Sequence, residues 1–284
     1  MLQPVKFENN IYSHSIYKNK NILKNIFDHK YLLWLFVKRD FVTNYKQTIL
    51  GPLWFFIQPI FTTIIFTVIF GNFAGISTDG IPKVLFYLSG LVLWNFFADC
   101  LLKTSDTFNT NQHIFGKVYF PRIIIPISII ISNLLKLAIQ FSLFIGLYIY
   151  YLIFTENDFN LNYTIIFIPA LILIISMFGL GLGILITSLT TKYRDLKFLI
   201  QFGVQLLMYS SPIIYPINSL TGNLKTIILL NPVSSIIECF KYAFFGLGEF
   251  NFFWLAYSTL IILTILFISI YIFNRIERNF MDTI

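Results

Sequence analysis

Of 284 residues, 57% are hydrophobic and only 12% charged, and the mean hydropathy is +0.75. That is more apolar surface than one soluble core of this size can hide, which excludes a soluble enzyme or binding module and leaves an integral membrane protein. The net charge of +7 would suit a nucleic-acid partner, but its distribution along the chain argues otherwise.

Residues 1–50 are expected to form a basic N-terminus outside the hydrocarbon. Within it, Ile22, Leu23, Ile26, Phe27, Leu33, Phe36 and Val37 recur at helical spacing, with Lys24, Asn25, Asp28, His29 and Lys30 in the gaps. The pattern suits an amphipathic helix lying in the headgroup plane with its basic face toward anionic lipid. The alternative is an ordinary amphipathic helix packed on another subunit.

Residues 51–284 contain six runs long enough to cross a hydrocarbon core about 30 Å thick as helix. They are Leu53 to Phe73, Val84 to Leu102, Ile123 to Phe154, Thr164 to Leu189, Leu196 to Pro216 and Phe252 to Phe273. Gly51-Pro52 opens the first, where a first-turn proline costs little. Gln58-Pro59 lies inside it, and is expected to free a carbonyl and kink the helix. Gln58 then faces either a pore or a neighbouring helix.

Between the second and third runs, "KTSDTFNTNQHIFGKVYFPR" (103–122) is longer than a turn requires. Ser105 or Asp106 is placed to cap a short helix ended by Gly116, with Pro121 holding back the next span. Such a helix needs a partner; otherwise the stretch is a solvated loop. In the long third run, counting back from the Tyr148, Tyr150, Tyr151 cluster puts Lys136 near a membrane boundary, where it snorkels. This register avoids the roughly 2.5–3.5 kcal/mol of an amine at the bilayer centre. In the fourth, Gly179 and Gly183 share one face and predict close helix packing. Residues 217–251 are expected to form two short re-entrant or surface-lying helices, the second capped by Asn231, started by Pro232 and ended near Gly246. Glu238 there faces water in a pore mouth or pairs with Lys241 one turn on.

Sixteen of the 20 Lys and Arg residues precede the first span, lie in the 103–122 and 190–197 connections, or follow the last span. Only Lys83, Lys225 and Lys241 lie in the intervening connections, which by the positive-inside bias puts both termini in the cytoplasm. The basicity is thus topological, and no nucleic-acid partner is implied. No cleavable signal peptide is readable. Cys100 and Cys239 fall on opposite sides and cannot pair, and no metal-ligand spacing is present.

The sequence contains no phosphate loop, zinc-helix motif or serine elbow, so no catalytic residue is expected. Beyond Asp99, the spans also lack the charged relays of an ion-coupled carrier. Energy for uphill transport would therefore have to come from another subunit.

Five stretches carry a resemblance: "KRDFVTNYKQTILGPLWFFIQP" (38–59), "GKVYFPR" (116–122), "YRDLK" with "SPIIYP" (193–197 and 211–216), and "LNP" (230–232). From about residue 30 the chain resembles the type-2 ABC transporter permeases of the polysaccharide and polyol-phosphate exporter family, which includes the Wzm O-antigen, KpsM capsule and TagG teichoic acid permeases. Asn44 departs from the arginine the family often carries there.

The resemblance implies an all-α membrane protein of six transmembrane helices in the inner membrane, with an N-terminal interfacial helix, a cytoplasmic coupling helix and external gate helices between spans five and six. It implies a homodimer working with two copies of a separate ATPase, which would bind the ATP and Mg, the chain itself needing no cofactor. The cargo would be a lipid-linked polysaccharide, most simply an O-antigen, with capsule, teichoic acid, drug or lipid export as alternatives. The coupling residues would be Phe108, Asn111, His113, Phe115 and Lys117. Trp54, Phe55, Gln58, Trp94, Tyr209 and Tyr215 would line a channel where aromatic faces stack on sugar rings. Asn231, Pro232 and Glu238 would belong to the external gate.

Overall fold

The computed structural model describes residues 27–43, 46, 48–115, 120–155, 159, 162–190, 195–248 and 250–280. Among these there is no strand. The helices are α1 (Lys30–Thr43), α2 (Trp54–Phe66), α3 (Lys83–Ser105), α4 (Thr107–Thr110), α5 (Gln112–Phe115), α6 (Ile124–Phe154), α7 (Ile168–Thr190), α8 (Leu196–Tyr209), α9 (Asn223–Leu230), α10 (Pro232–Phe245) and α11 (Phe252–Phe280). A 3-10 turn, Gly51–Leu53, leads into α2, and a π-helical stretch, Thr67–Phe73, extends it. Gly51 takes φ +53, a left-handed turn that a side chain would disfavour, and Pro52 opens the helix behind it. The helix then runs on through Pro59.

Five of these helical segments are long and apolar enough to span a membrane. They match the first, second, third, fourth and sixth predicted runs. The central post is the second: 78% of its apolar stretch is buried in protein, against 17% for the first. That burial depends on α7. A methyl at Gly179 would come within 2.7 Å of Cys100 Cβ, and one at Gly183 within 2.5 Å of Thr104 Cβ. With no methyl there, the two backbones touch, as the Gly179/Gly183 spacing predicts. Gly181 points the other way, where an added methyl would lie 3.1 Å from the Leu266 backbone of α11. Three alternate glycines thus let α7 sit tightly between α3 and α11.

The fifth predicted run behaves differently. Its helix, α8, is 14 residues, about 21 Å long and too short to cross alone. The passage is nonetheless complete. Lys197 Nζ pairs with Asp106 Oδ2 (2.7 Å) at one end of α3, and Asn218 Nδ2 donates to Asp79 Oδ2 (2.9 Å) beyond the other. Residues 197–218 therefore travel the full length of α3, as helix to Tyr209 and then as irregular chain. Ser211 and Ile213 are fully buried there and Ile214 and Ile217 nearly so, which is the condition for non-helical backbone at membrane depth.

The chain then turns back. Helices α9 and α10 meet at 97° and stay at the far end of the bundle, where Asn162 N donates to Ala243 O and Tyr148 Oη to Phe244 O. Tyr148 is thereby buried, while Tyr150 of the same cluster faces outward. The bent pair is re-entrant, and α11 leads from it to the basic end. The predicted start, cap and stop of α10 are all present. Asn231 Oδ1 accepts from Val233 N (3.1 Å), Pro232 is the first helical residue, and Gly246 ends the helix at φ +66.

Two substitutions test the backbone contact. Gly183→Leu is expected to remove most monodisperse protein on size exclusion after detergent extraction, since overpacking of even one methylene costs about 1–3 kcal/mol. Gly203→Ala, with no described residue within 4 Å of the added methyl, is expected to leave yield unchanged and raise helix stability by about 0.5–1 kcal/mol. Equal tolerance of both changes would refute the contact.

Candidate functional site

At the basic end, α4 and α5 are two four-residue helices broken at Asn111. Neither Ser105 nor Asp106 caps them with its side chain: the Ser105 hydroxyl donates back to Leu102 O, and Asp106 pairs with Lys197. The two helices are held by a run of rings. Phe108 stacks flat on Phe273 of α11 (5.5 Å) and edge-on to Phe115 (5.7 Å). Phe115 meets Phe120 (5.9 Å), which meets Phe36 of α1 (5.5 Å). The guanidinium of Arg122 lies over Phe115 (5.4 Å).

A polar strap runs beside the rings. Arg39 Nη1 donates to Asn111 Oδ1 (3.1 Å), and Asn111 Nδ2 to Thr107 O (3.0 Å). Arg39 also pairs with Asp40 (2.7 Å), which accepts from the Ser128 hydroxyl (3.2 Å). Helix α1 is therefore docked on its own chain. Phe36 and Val37 are buried, while Tyr31, Trp34 and Lys38 point outward, a set that suits the headgroup layer.

Of the five residues assigned to coupling, Phe108 and Asn111 are buried and Phe115 is half-buried. They are the mount. The exposed crest is Thr110, Gln112 and His113. Lys117, like Asn44 and residues 22–26 of the amphipathic pattern, lies outside the described residues.

At the far end the key group is Lys241, which is 2% exposed. Its Nζ donates to Pro212 O (2.6 Å), lies 3.5 Å over the Phe86 ring and stands 3.8 Å from Glu238 Oε1. The cation thus satisfies a carbonyl of the buried irregular passage, and the Glu238–Lys241 alternative holds with both groups buried. Asn231 Nδ2 donates to Ser211 Oγ (2.9 Å), a second tie from α10 to the same passage.

Among the assigned channel residues, Trp54, Gln58 and Tyr209 are exposed on α2 and α8, and Tyr215 is half-buried with its hydroxyl on Tyr209 O (3.2 Å). Phe55 and Trp94 are buried, the first against Phe41 (5.7 Å) and the second against Phe97 (5.4 Å). Gln201 and Gln205 are also exposed, one turn apart on α8. Two glutamines at that spacing inside an apolar run were a readable signal, and sequence reasoning passed over it.

Residues 31–245 match the family described as ABC-2 type transporter. The chain belongs to the ABC-2 type transporter family. It is a permease subunit, the non-catalytic membrane part of such a transporter. It is 28% identical over 267 residues, 93% of this chain and 98% of the relative, to the O-antigen export system permease protein RfbA of Klebsiella pneumoniae. It is 22% identical to the protein of the same description in Myxococcus xanthus, covering 79% of this chain and 84% of the relative. It is 24% identical to the polysialic acid transport protein KpsM of Escherichia coli, covering 72% of this chain and 78% of the relative.

One assignment in this ABC-2 permease needs correction. Lys136 does not snorkel alone: its Nζ pairs with Asp99 Oδ2 at 2.7 Å, joining α6 to α3, with side chains 14% and 28% exposed. Beside it Lys103 Nζ donates to Asn133 Oδ1 (3.1 Å). An amine within reach of a carboxylate on the next helix gains more there than at a distant headgroup layer.

Lys136→Met alone strands the Asp99 carboxylate. Its cost is expected to fall between the ~1 kcal/mol of an exposed pair and the ~3–5 kcal/mol of a buried one. Adding Asp99→Asn should recover part of that loss in thermal unfolding of the detergent-solubilised chain. If single and double variants melt alike, the two groups do not interact.

Proposed function

We propose that this chain is the membrane half of an ATP-driven exporter that carries a lipid-linked polysaccharide, most simply an O-antigen, across the inner membrane. The bulk of its relatives' described cargo is polysaccharide, and the match to the first of them runs nearly end to end. The observation that carries the reading is the uncovered state of α2 and α8. Gln58 on α2, and Gln201, Gln205 and Tyr209 on α8, are each left exposed by the described residues of their own chain. Such a half-polar wall is costly against lipid and suits a second copy facing it around a polymer. Exposed aromatic and amide groups offer stacking and hydrogen bonds without gripping any one sugar.

In this reading the basic end is cytoplasmic, with both termini on that side. The crest of Thr110, Gln112 and His113 receives the ATPase, one copy per permease, so that a homodimer carries two. Phe108, Asn111 and Phe115 hold the crest rigid against α1 and α11. The α9–α10 hairpin, with Asn231, Pro232 and Glu238, closes the external mouth. ATP and Mg belong to the partner.

Two classes of variant separate these roles in cells and in the purified complex. Gln112→Asp with His113→Asp is expected to leave the permease folded yet abolish surface glycan and ATPase co-purification. Phe108→Ala removes a buried ring stack and is expected to reduce folded protein itself, by about 3–5 kcal/mol. Normal surface glycan with the doubly acidic crest would sink the coupling assignment. In the wall, Gln58→Leu and Gln201→Leu/Gln205→Leu are expected to slow export with ATPase coupling intact. Unchanged export in both would place these amides away from the cargo. Loss of a drug or free lipid efflux, with lipid-linked glycan still reaching the surface, would overturn the cargo.

A further inference from the structure

At the far end, between α9, α10 and the start of α11, the structure contains a cavity of about 170 Å³. It is lined by Trp254 and Phe250, by Glu238 and Asn251, and by Lys225 and Ser235. Pockets for drug-sized ligands run to about 300–1,000 Å³, so this one has room for a single small ring. Its chemistry selects among small rings. An indole and a phenyl group suit the apolar CH face of a pyranose, while planar carboxylate and amide groups suit pairs of neighbouring hydroxyls.

Other ligands fit less well. A simple anion would meet the Glu238 carboxylate. The described residues hold no cluster of ligands for a metal ion. An acyl chain would bury a carboxylate and an ammonium against hydrocarbon.

Three of the lining groups are also fixed by contacts within the chain. The Asn251 carbonyl oxygen accepts from Phe253 N (2.9 Å) and caps α11, which leaves its amide N–H groups for a hydroxyl. The Ser235 hydroxyl is joined to Ser258 (2.7 Å), fixing α10 to α11 and so holding the cavity's walls in register. Phe250 stacks on Tyr242 of α10 (5.6 Å), which fixes the ring that the cavity presents.

We propose that this cavity is a monosaccharide subsite at the external mouth, taking one neutral hexose unit of the emerging polymer. It rests on the glycan-export reading and deepens it. A single weakly bound ring at the exit resists back-sliding between ATPase strokes. A tight site would instead stall the chain, so the subsite is shallow and small.

The test uses the full-length permease assembled with its ATPase and labelled with 5-fluorotryptophan. The chain has four Trp residues, and the Trp254 signal is assigned by Trp254→Phe. Methyl α-glucoside, α-galactoside and α-mannoside are titrated at millimolar concentration, with inorganic phosphate as the competing probe. At least one hexoside is expected to shift Trp254 while Trp34, Trp54 and Trp94 stay still. Glu238→Gln is expected to weaken that binding roughly tenfold, or about 1.4 kcal/mol. Asn251→Asp, which keeps the α11 cap and deletes the amide donor, should do the same without loss of folded protein.

A Trp254 signal unmoved by all three hexosides, in a complex that exports glycan, overturns the subsite and leaves the export reading standing. A shift with phosphate and no hexoside also overturns it. Hexoside binding in a complex that exports no glycan in cells overturns the export reading and, with it, the role given to the cavity.

Discussion

Backbone contact between α3 and α7 at Gly179 and Gly183 is the constraint on which the rest of the bundle depends. In a bilayer, lipid tails are as apolar as leucine, so helices associate through close packing and polar ties rather than through hydrophobic exclusion. The two glycines supply the packing that sinks α3 into the protein. Once α3 is surrounded, its length becomes a ruler for the irregular passage beside it: Asp106 receives Lys197 at one end, and the loop before the other receives Asn218 through Asp79. A stretch of non-helical backbone can lie alongside because α3 and α10 shield it, and because Lys241 is close enough to answer the Pro212 carbonyl.

Much of this was legible in the sequence, for physical reasons that also mark where legibility stopped. A helix in hydrocarbon must satisfy its own backbone and present apolar side chains, so hydropathy located the spans to within a few residues. Asn231, Pro232 and Gly246 act on their own backbone within one turn, and so α10 was readable from start to stop. The passage after Tyr209 was not. An apolar run records burial and membrane depth, but whether the chain there is helical depends on neighbours that hold its carbonyls, and Lys241 lies 29 residues away along the chain.

The same separation explains the misreading of Lys136 and the mixed placing of the site. Snorkelling was the better local solution, yet Asp99 stands across the helix interface, 37 residues earlier. The segment assigned to coupling is a pair of four-residue helices, and helices of that length carry no periodicity from which an inward face is read. Phe108 and Asn111 look like contact residues in the sequence. In the structure they tie the segment to Phe273 and Arg39. Trp94 sits in a helix buried on all sides, a fact about α7 rather than about the residues around the tryptophan.

Helices α3, α7 and α11 form a slab joined at backbone distance by three glycines of one helix. One end of that slab carries the ring stack of Phe273 on Phe108, and the other carries the Ser258–Ser235 bond to the α9–α10 hairpin and the Phe86 face beneath Lys241. Elements in such contact move as one body, because a close-packed interface has few alternative arrangements. A push at the crest, in the role proposed for it, would therefore tilt the slab instead of deforming it. Relative motion falls to α2 and α8, which have few buried contacts with their own chain and so little to break. In the exporter proposed above, the two helices that present the amides would be the two that change the width between facing copies, while the α9–α10 hairpin would travel with the slab.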